Sequence, residues 1–202
     1  MIIKICGLNI TRDVQLCIDL GINLLGFVFY KKSPRNINLE DVKILSKFNK
    51  KNSSFVAVTV NPSDEFIKKN LLGNFEYIQL HGSETKKRVN EIKQMGFKII
   101  KAIKVKEKKD LEEYKKFNNA DIILFDTPGM EKSLEFPINL ISKLPKGDKY
   151  ALAGSISESN VENIRKLGIN FFDLSSSLES DLGYKDHLKI KNFIKKVNEI
   201  KN

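Results

Sequence analysis

The sequence is poor in cysteine and has no long apolar run. Cys6 and Cys17 are the only cysteines among 202 residues, which is too few for a disulfide framework and is typical of a reducing compartment. No apolar run reaches the length of a membrane span. The stretch MIIKICGLNI at the start lacks the charged, apolar and cleavage regions of a signal peptide. We therefore expect a cytoplasmic protein that has no membrane partner.

Motifs for common cofactors are also missing. Neither a G-x-G-x-x-G nor a P-loop pattern occurs, which argues against a bound dinucleotide or nucleoside triphosphate. The two histidines, His81 and His187, and the two cysteines do not have the spacing of metal ligands. We therefore expect neither a cofactor nor a metal.

Arginine is scarce although the formal net charge is +10. Only four of the 35 basic residues are arginines, and the lysines are spread along the chain. A nucleic-acid-binding surface usually concentrates its charge and combines it with arginines or stacking aromatics. The composition therefore favours a solvated, lysine-rich surface and no nucleic-acid partner, and its positive field would attract an anionic substrate.

Short apolar runs alternate with amphipathic segments along the whole chain, and the nearly continuous apolar runs are typical of parallel strands covered on both faces. The predicted strands are residues 2–6, 24–29, 55–60, 77–80, 98–103, 122–125, 150–153 and 171–174. The predicted helices lie near residues 12–20, 39–48, 63–71, 84–95, 108–117, 137–144, 158–167 and 186–200. Eight such units in series predict an α/β protein with a single (β/α)8 TIM barrel domain over residues 1–202.

Capping preferences predict two of the helix starts. Thr11 is the predicted N-cap of the first helix. Ser159 and Glu162 have the spacing of a capping box at the seventh helix.

Catalytic groups of a TIM barrel come from the C-terminal ends of the strands and from the loops that follow them. The reactive or small residues at these positions are Cys6, Arg35, Gln79, His81, Asp126, Gly154, Ser155, Asp173, Ser175, Ser176 and Ser177. His81 either contacts substrate or forms a loop hydrogen bond, and Asp126 either caps a loop or acts as a catalytic carboxyl.

Cys6 is either a small buried side chain or a reactive thiol. Alternation along the first strand puts Lys4 and Cys6 on one face, opposite Ile3 and Ile5. The isoleucines are then expected to pack under the helices, with Lys4 and Cys6 inside the barrel. A cation beside the thiol would stabilise its thiolate, which favours the hypothesis that Cys6 is a reactive thiol.

Small and hydroxyl residues follow the seventh and eighth predicted strands. Barrels frequently bind phosphate there through backbone N–H groups and a helix N-terminus. Gly154-Ser155 and Ser175-Ser176-Ser177 supply such donors. From these residues alone, we expect a barrel enzyme that binds a small phosphorylated molecule and uses acid–base catalysis.

Several segments carry a more specific signal through their order and spacing. They are residues 4–8 (KICGL), 26–30 (GFVFY), 32–35 (KSPR), 79–82 (QLHG), 100–102 (IKA), 124–127 (LFDT), 152–154 (LAG), 173–176 (DLSS) and 185–186 (KD). Through these segments, which are spread over essentially the whole chain, the sequence resembles the phosphoribosylanthranilate isomerase family.

The resemblance implies an isomerase of tryptophan biosynthesis. Its reaction converts N-(5-phosphoribosyl)anthranilate to 1-(o-carboxyphenylamino)-1-deoxyribulose 5-phosphate by an Amadori rearrangement, without cofactor or metal. Asp126 is then the general acid that protonates the furanose oxygen, and Cys6 is the general base that removes the C2′ proton. Arg35 would pair with the anthranilate carboxylate. His81, Asp173 and the residues expected to bind phosphate complete the substrate site of a monomer or homodimer.

Three stretches depart from the family's pattern. After Asp126 the family usually has Gly-Gly-Thr/Ser-Gly before Phe-Asp-Trp, whereas residues 127–136 are shorter and lack the double glycine. Glu131 and Lys132 in this loop have no assigned role. Ser155 and Ser177 each stand where the family has glycine; a serine keeps its backbone N–H, so phosphate binding persists if φ stays negative.

Three alternatives remain open. A related barrel isomerase for another phosphosugar, such as the aminoimidazole ribotide analogue of histidine synthesis, would carry an aspartate in place of Cys6. The altered glycines suggest an inactive barrel that serves as a binding subunit, although Cys6, Asp126 and Arg35 argue against it. A basic nucleic-acid-binding protein would bind heparin at low salt and show no activity.

Overall fold

Eight parallel strands close into a barrel in chain order. The structure is a computed structural model that describes residues 1–127, 129 and 136–201. The barrel strands are β1 Ile2–Cys6, β2 Leu24–Phe29, β3 Ser54–Thr59, β4 Tyr77–Leu80, β5 Lys98–Lys104, β6 Ile122–Asp126, β7 Tyr150–Leu152 and β8 Phe171–Leu174. Pairing of β1 with both β2 and β8 completes the ring. The predicted TIM barrel is confirmed, and each strand end lies within one residue of its predicted position.

The connections pack outside the barrel and are less regular than the predicted helices. The α-helices are α1 Thr11–Asp19, α2 Leu39–Leu45, α3 Asp64–Phe66, α4 Lys86–Gln94, α5 Ile138–Ile141, α6 Val161–Lys166 and α7 His187–Lys201. A π-helical segment, Ile67–Leu71, continues α3, and the connection after β5 is a 3₁₀ helix, Lys108–Phe117. Among the helices of the described residues, none is long and apolar enough to cross a membrane.

Both predicted helix starts are wrong. Ile10 is the N-cap of α1, and Thr11 is its first helical residue. The N-cap of α6 is Asn160, so Ser159 and Glu162 do not form the predicted capping box. Each observed N-cap lies one residue from the predicted one, because capping preference fixes a helix boundary only to within one or two residues.

Alternation along the strands separates an inner from an outer apolar core. Ile3 and Ile5 pack in the outer core between strands and helices. Cys6 packs in the inner core, and Lys4 contacts Asp173, its register partner on β8. Burying each isoleucine stabilises the fold by about 2 kcal/mol. The predicted inside position of Lys4 and Cys6 is therefore confirmed.

A small hairpin between β8 and α7 is absent from the predicted elements. After the 3₁₀ turn Ser176–Leu178, β9 (Glu179–Asp181) pairs antiparallel with β10 (Tyr184–Lys185). Gly183 lies between these strands with φ 84°, and Asn9 Nδ2 donates a hydrogen bond to its carbonyl oxygen. This bond ties the hairpin to the loop that follows β1.

Candidate active site

A cavity of about 390 Å³ opens at the C-terminal ends of the barrel strands. Every site residue predicted from the sequence lines it, namely Cys6, Arg35, His81, Asp126, Gly154, Ser155, Asp173, Ser175, Ser176 and Ser177. These residues come from six strands or the loops after them, and the parallel barrel brings all these strand ends to one face. Their predicted convergence is therefore observed.

A wider cleft of about 780 Å³ lies elsewhere, between α6 and α7. Glu162 and Lys196 line it and form a salt bridge of 3.0 Å with each other. Because catalytic residues of this fold lie at the strand ends, we assign the candidate site to the smaller cavity.

Lys4, Cys6 and Asp173 form a buried polar cluster at the base of the cavity. Lys4 Nζ lies 2.7 Å from Asp173 Oδ2, and the two side chains are 1% and 6% exposed. Gly26, the register partner of Cys6, leaves room for the cluster, because a Cβ there would lie 3.0 Å from Cys6 Sγ and 3.2 Å from Lys4 Nζ. The lysine is therefore next to the thiol.

Burial and charge act in opposite directions on this cluster. Burial raises the pKa of the Cys6 thiol, and the opposing charge of Lys4 does not fully offset it. Burial alone would lower the pKa of Lys4, but the charge of Asp173 outweighs it and raises this pKa. Lys4 is therefore cationic, whereas the resting thiol is protonated, so the thiolate is less favoured than Lys4 alone would predict.

Asp126 and His81 are adjacent at the ends of β6 and β4. His81 Nε2 lies 3.2 Å from Asp126 Oδ2, and Gln79 Nε2 lies 3.3 Å from His81 Nδ1. An amide N–H can only donate, so in this arrangement Nδ1 accepts and the Nε2 proton faces Asp126. Asp126 Oδ1 is buried and accepts no hydrogen bond from the described residues. A buried carboxylate oxygen without a donor is costly, which makes Oδ1 a candidate partner for a polar group of the substrate.

Arg35 is bound by a carboxylate that the sequence analysis did not single out. Arg35 Nε and Nη2 donate to the two oxygens of Glu179 at 2.6 and 2.7 Å. Lys185 Nζ also contacts Glu179, at 2.8 Å. This bidentate geometry fixes the plane of the guanidinium beside the cavity.

The segment after β7 has an unusual backbone. Gly154 and Ser155 have φ values of 107° and 48°. The condition of a negative φ is therefore not met at Ser155, and a serine in this left-handed region costs about 1–2 kcal/mol. Asn160 Nδ2 donates to the Ser155 carbonyl at 3.0 Å and holds the turn in place.

The helix N-terminus that we expected beside this phosphate segment is also displaced. α6 begins only at Val161, beyond the turn held by Asn160. After β8, by contrast, a 3₁₀ turn begins directly at Ser176. The backbone N–H groups of residues 175–177, which we call the serine segment, are therefore the better candidates for binding an anion.

Most of the loop after Asp126 lies outside the described residues, including Glu131 and Lys132. Thr127 and Gly129, which are described, line the cavity.

Some lining residues were missed by sequence reasoning. Lys104 ends β5, is the register partner of Asp126 and lines the cavity with Lys106. Alternation from Ile100 and Ala102 places Lys104 on the inner face, so this signal was present in the sequence. These lysines add positive charge to a site that already contains Arg35.

Sequence and structural similarity agree with this architecture. The family model of N-(5′phosphoribosyl)anthranilate (PRA) isomerase matches residues 3–196. The N-(5′-phosphoribosyl)anthranilate isomerase of Petrotoga mobilis (strain DSM 10674 / SJ95) is 38% identical over 206 residues, covering 98% of this chain and 98% of the relative.

Solved structures are similar over the same length. Phosphoribosyl anthranilate isomerase from Thermotoga maritima has a TM-score of 0.87 at 29% identity, over 98% of this chain and 100% of that one. A phosphoribosyl anthranilate isomerase in complex with reduced 1-(o-carboxyphenylamino)-1-deoxyribulose 5-phosphate has a TM-score of 0.83 at 29% identity, over 98% and 100% of the chains. The chain therefore belongs to the N-(5′-phosphoribosyl)anthranilate isomerase family.

Proposed function

We propose that this chain isomerises N-(5′-phosphoribosyl)anthranilate to 1-(o-carboxyphenylamino)-1-deoxyribulose 5-phosphate in tryptophan biosynthesis. The family match over residues 3–196 supports this reaction, as does the solved relative bound to the reduced product. The observation that carries the proposal is the convergence of Cys6, Asp126 and Arg35 on one cavity.

Asp126 acts as the general acid and Cys6 as the general base. Asp126 gives a proton to the furanose oxygen as the C1′–O bond breaks, which leaves an iminium at C1′. The Cys6 thiolate then takes the C2′ proton, and the resulting enolamine becomes the ketone when C1′ gains one proton and the C2′ hydroxyl loses one. No atom is gained or lost, because the Asp126–Cys6 pair gives one proton to the substrate and takes one back.

The reacting enzyme carries a single proton on the Asp126–Cys6 pair, and this proton is on Asp126. Burial favours the alternative arrangement, with the proton on Cys6. Lys4 reduces that preference because its charge stabilises the thiolate. We assign Lys4 this electrostatic role in the reaction.

His81 and Asp173 complete the polar part of the substrate site. His81 directs its Nε2 proton at Asp126 Oδ2, which leaves Oδ1 to the substrate. Asp173 Oδ1 is also buried without a partner among the described residues. We assign it to a ribose hydroxyl, which would supply the missing donor.

The two anionic ends of the substrate bind on different segments. Arg35 binds the anthranilate carboxylate, for which a planar guanidinium is suited. Gly154, Ser155 and the serines of residues 175–177 bind the phosphate through backbone N–H and hydroxyl groups. Lys104 and Lys106 strengthen the positive field at the opening.

We further propose a cytoplasmic enzyme, a monomer or homodimer, with one domain over residues 1–202. The cysteines Cys6 and Cys17 are both free and buried, which agrees with a reducing compartment. Neither nucleic acid, membrane, cofactor nor metal is part of the proposal.

The test is conversion of N-(5′-phosphoribosyl)anthranilate by the purified chain, followed by the loss of substrate fluorescence and by chromatography of the product. We expect stoichiometric formation of the carboxyphenylamino deoxyribulose phosphate and competitive inhibition by inorganic phosphate. Binding of substrate without turnover would contradict the proposal and favour an inactive barrel.

A further inference from the structure

The β9–β10 hairpin brings two buried charges to Arg35. Glu179 begins β9, Lys185 ends β10, and the two are register partners. Glu179 Oε1 lies 2.6 Å from Arg35 Nε and 2.8 Å from Lys185 Nζ, and Oε2 lies 2.7 Å from Arg35 Nη2. All three side chains are less than a tenth exposed. The hairpin therefore builds one buried ionic cluster against the loop after β2.

The hydrogen-bonding capacity of Glu179 is used within this cluster. Its Oε2 also accepts from Gly183 N at 3.3 Å. Burial alone would raise the pKa of Glu179, but the hydrogen bond from Arg35 and the charge of Lys185 outweigh it and lower this pKa. A buried ionic cluster contributes little net stability relative to apolar side chains of similar volume. Its presence is better explained by what it positions.

The aliphatic part of Arg35 rests on Gly7, the residue directly after Cys6. A Cβ at Gly7 would overlap Arg35 Cδ, and Gly7 has φ 79°. Glycine is therefore required both by the backbone and by the close approach. Arg35 is thus located by Gly7 beneath its stem and by Glu179 at the Nε–Nη2 edge of its guanidinium.

Lys185 connects the same cluster to the serine segment. Lys185 Nζ donates to the carbonyl oxygen of Ser175 at 3.1 Å. Ser175 Oγ in turn donates to the carbonyl oxygen of Cys6 at 3.1 Å. The hairpin therefore links the residue proposed for the substrate carboxylate to the segment proposed for its phosphate.

We propose that Glu179 and Lys185 are positioning residues for this reaction, with Glu179 orienting Arg35 toward the substrate carboxylate and Lys185 holding the serine segment at the phosphate end. The inference rests on the proposed function. It makes the hairpin a determinant of specificity for substrates that carry an anion at each end.

If Glu179 acted only through its charge and did not position Arg35, removing it would strengthen substrate binding and not weaken it. Its negative charge lies beside Arg35 and repels a bound carboxylate. If Arg35 kept its orientation, removal of this charge would strengthen anion binding. Weaker binding after removal is therefore diagnostic of positioning.

Glu179→Gln keeps the size of the side chain but places an amide donor against a guanidinium donor. We expect KM for N-(5′-phosphoribosyl)anthranilate to rise about tenfold and kcat to change by less than about threefold, because ground-state and transition-state binding are lost together. In an Arg35→Ala background, Glu179→Gln should change KM by less than about twofold, because Glu179 acts through Arg35. Steady-state kinetics of the two single variants and the double variant measure this coupling.

Asp121→Asn is the matched control at the opposite end of the barrel. Asp121 also accepts from a lysine and a backbone N–H, namely Lys93 Nζ at 2.7 Å and Ile99 N at 2.8 Å. The substitution Asp121→Asn should lower the free energy of unfolding and leave KM within about twofold of the parent value. If Glu179→Gln does not fold, Glu179→Asp gives the same test, because its carboxylate is one methylene too short to keep both guanidinium bonds.

Lys185→Met tests the phosphate end. The inhibition constant of inorganic phosphate should rise about fivefold, because the Ser175 carbonyl loses its donor. An unchanged inhibition constant would show that Lys185 does not position the serine segment.

An unchanged or lower KM in the Glu179 variants, with a parent that turns the substrate over, would overturn the positioning role. A parent without turnover would instead contradict the proposed function, so the two failures are distinguishable.

Discussion

Lys4→Met removes a buried cation that contacts both Asp173 and Cys6. Methionine has a similar length and fits the inner core, so the change is mainly one of charge. Loss of one partner of a buried ion pair costs about 3–5 kcal/mol, because the other charge stays buried and unpaired. For a chain of this length about 2–4 °C in Tm is lost per kcal/mol, so we expect Tm to fall by about 6–20 °C.

The same substitution has a kinetic effect that stability does not explain. Two unit charges 4 Å apart interact by about 4 kcal/mol at an effective dielectric constant of 20, which is an upper bound for the effect of Lys4 on the thiolate. The charge of Asp173 offsets part of it. We therefore expect kcat/KM at neutral pH to fall about tenfold, which corresponds to about 1.4 kcal/mol and lies within that bound.

The pH profile of kcat/KM separates this effect from a structural one. Burial raises the pKa of Cys6, and above this pKa the Asp126–Cys6 pair has lost its last proton, so Asp126 cannot act as an acid. The parent should therefore lose activity only at a pH above the ordinary thiol value. Without Lys4 the pKa of Cys6 rises further, so this alkaline limb should move to higher pH.

The assay is kcat/KM against pH for the parent and Lys4→Met, at a temperature at which both are folded. A lower plateau with the alkaline limb moved to higher pH supports the assigned role. A lower plateau with the limb unmoved, or moved to lower pH, would show that Lys4 serves the fold alone.

Two further predictions concern Asp126 and Ser155. Asp126→Asn keeps the shape but cannot donate the ring-opening proton, so kcat should fall at least about a hundredfold with KM within about threefold; near-parental kcat would leave Asp126 as a loop residue. Ser155→Gly relieves the left-handed strain of about 1–2 kcal/mol but adds the backbone entropy cost of glycine, so Tm should rise by about 1–4 °C. Calorimetry measures this, and a lower Tm together with a raised KM would show that the Ser155 side chain is needed.

The barrel and the convergence of its site could be predicted because both depend on local periodicity. The alternation Ile3, Lys4, Ile5, Cys6 already separates helix-facing from inward-facing side chains. Parallel strands then bring all strand ends to one face, whatever the distance along the chain.

The features that could not be predicted depend on tertiary contacts or on the sign of a backbone φ angle. The hairpin strands have three and two residues, which is too short for a periodic signal. The pairing of Glu179 with Arg35 spans 144 residues and follows from where the hairpin packs. A serine does not reveal that its φ is positive, because residues other than glycine adopt this conformation only when surrounding structure imposes it, as at Ser155.

Cys6 is assigned as the general base, and a matched pair of cysteine variants tests this assignment. Cys17 is also free and buried, but it lies in the outer core, where burial raises its pKa to about 12. We expect Cys6→Ala to lower kcat at least about a hundredfold while inorganic phosphate still binds, and Cys17→Ala to keep kcat within about threefold at reduced stability. A Cys6→Ala enzyme with kcat within about tenfold of the parent, or about 1.4 kcal/mol, would show that Cys6 is not the general base.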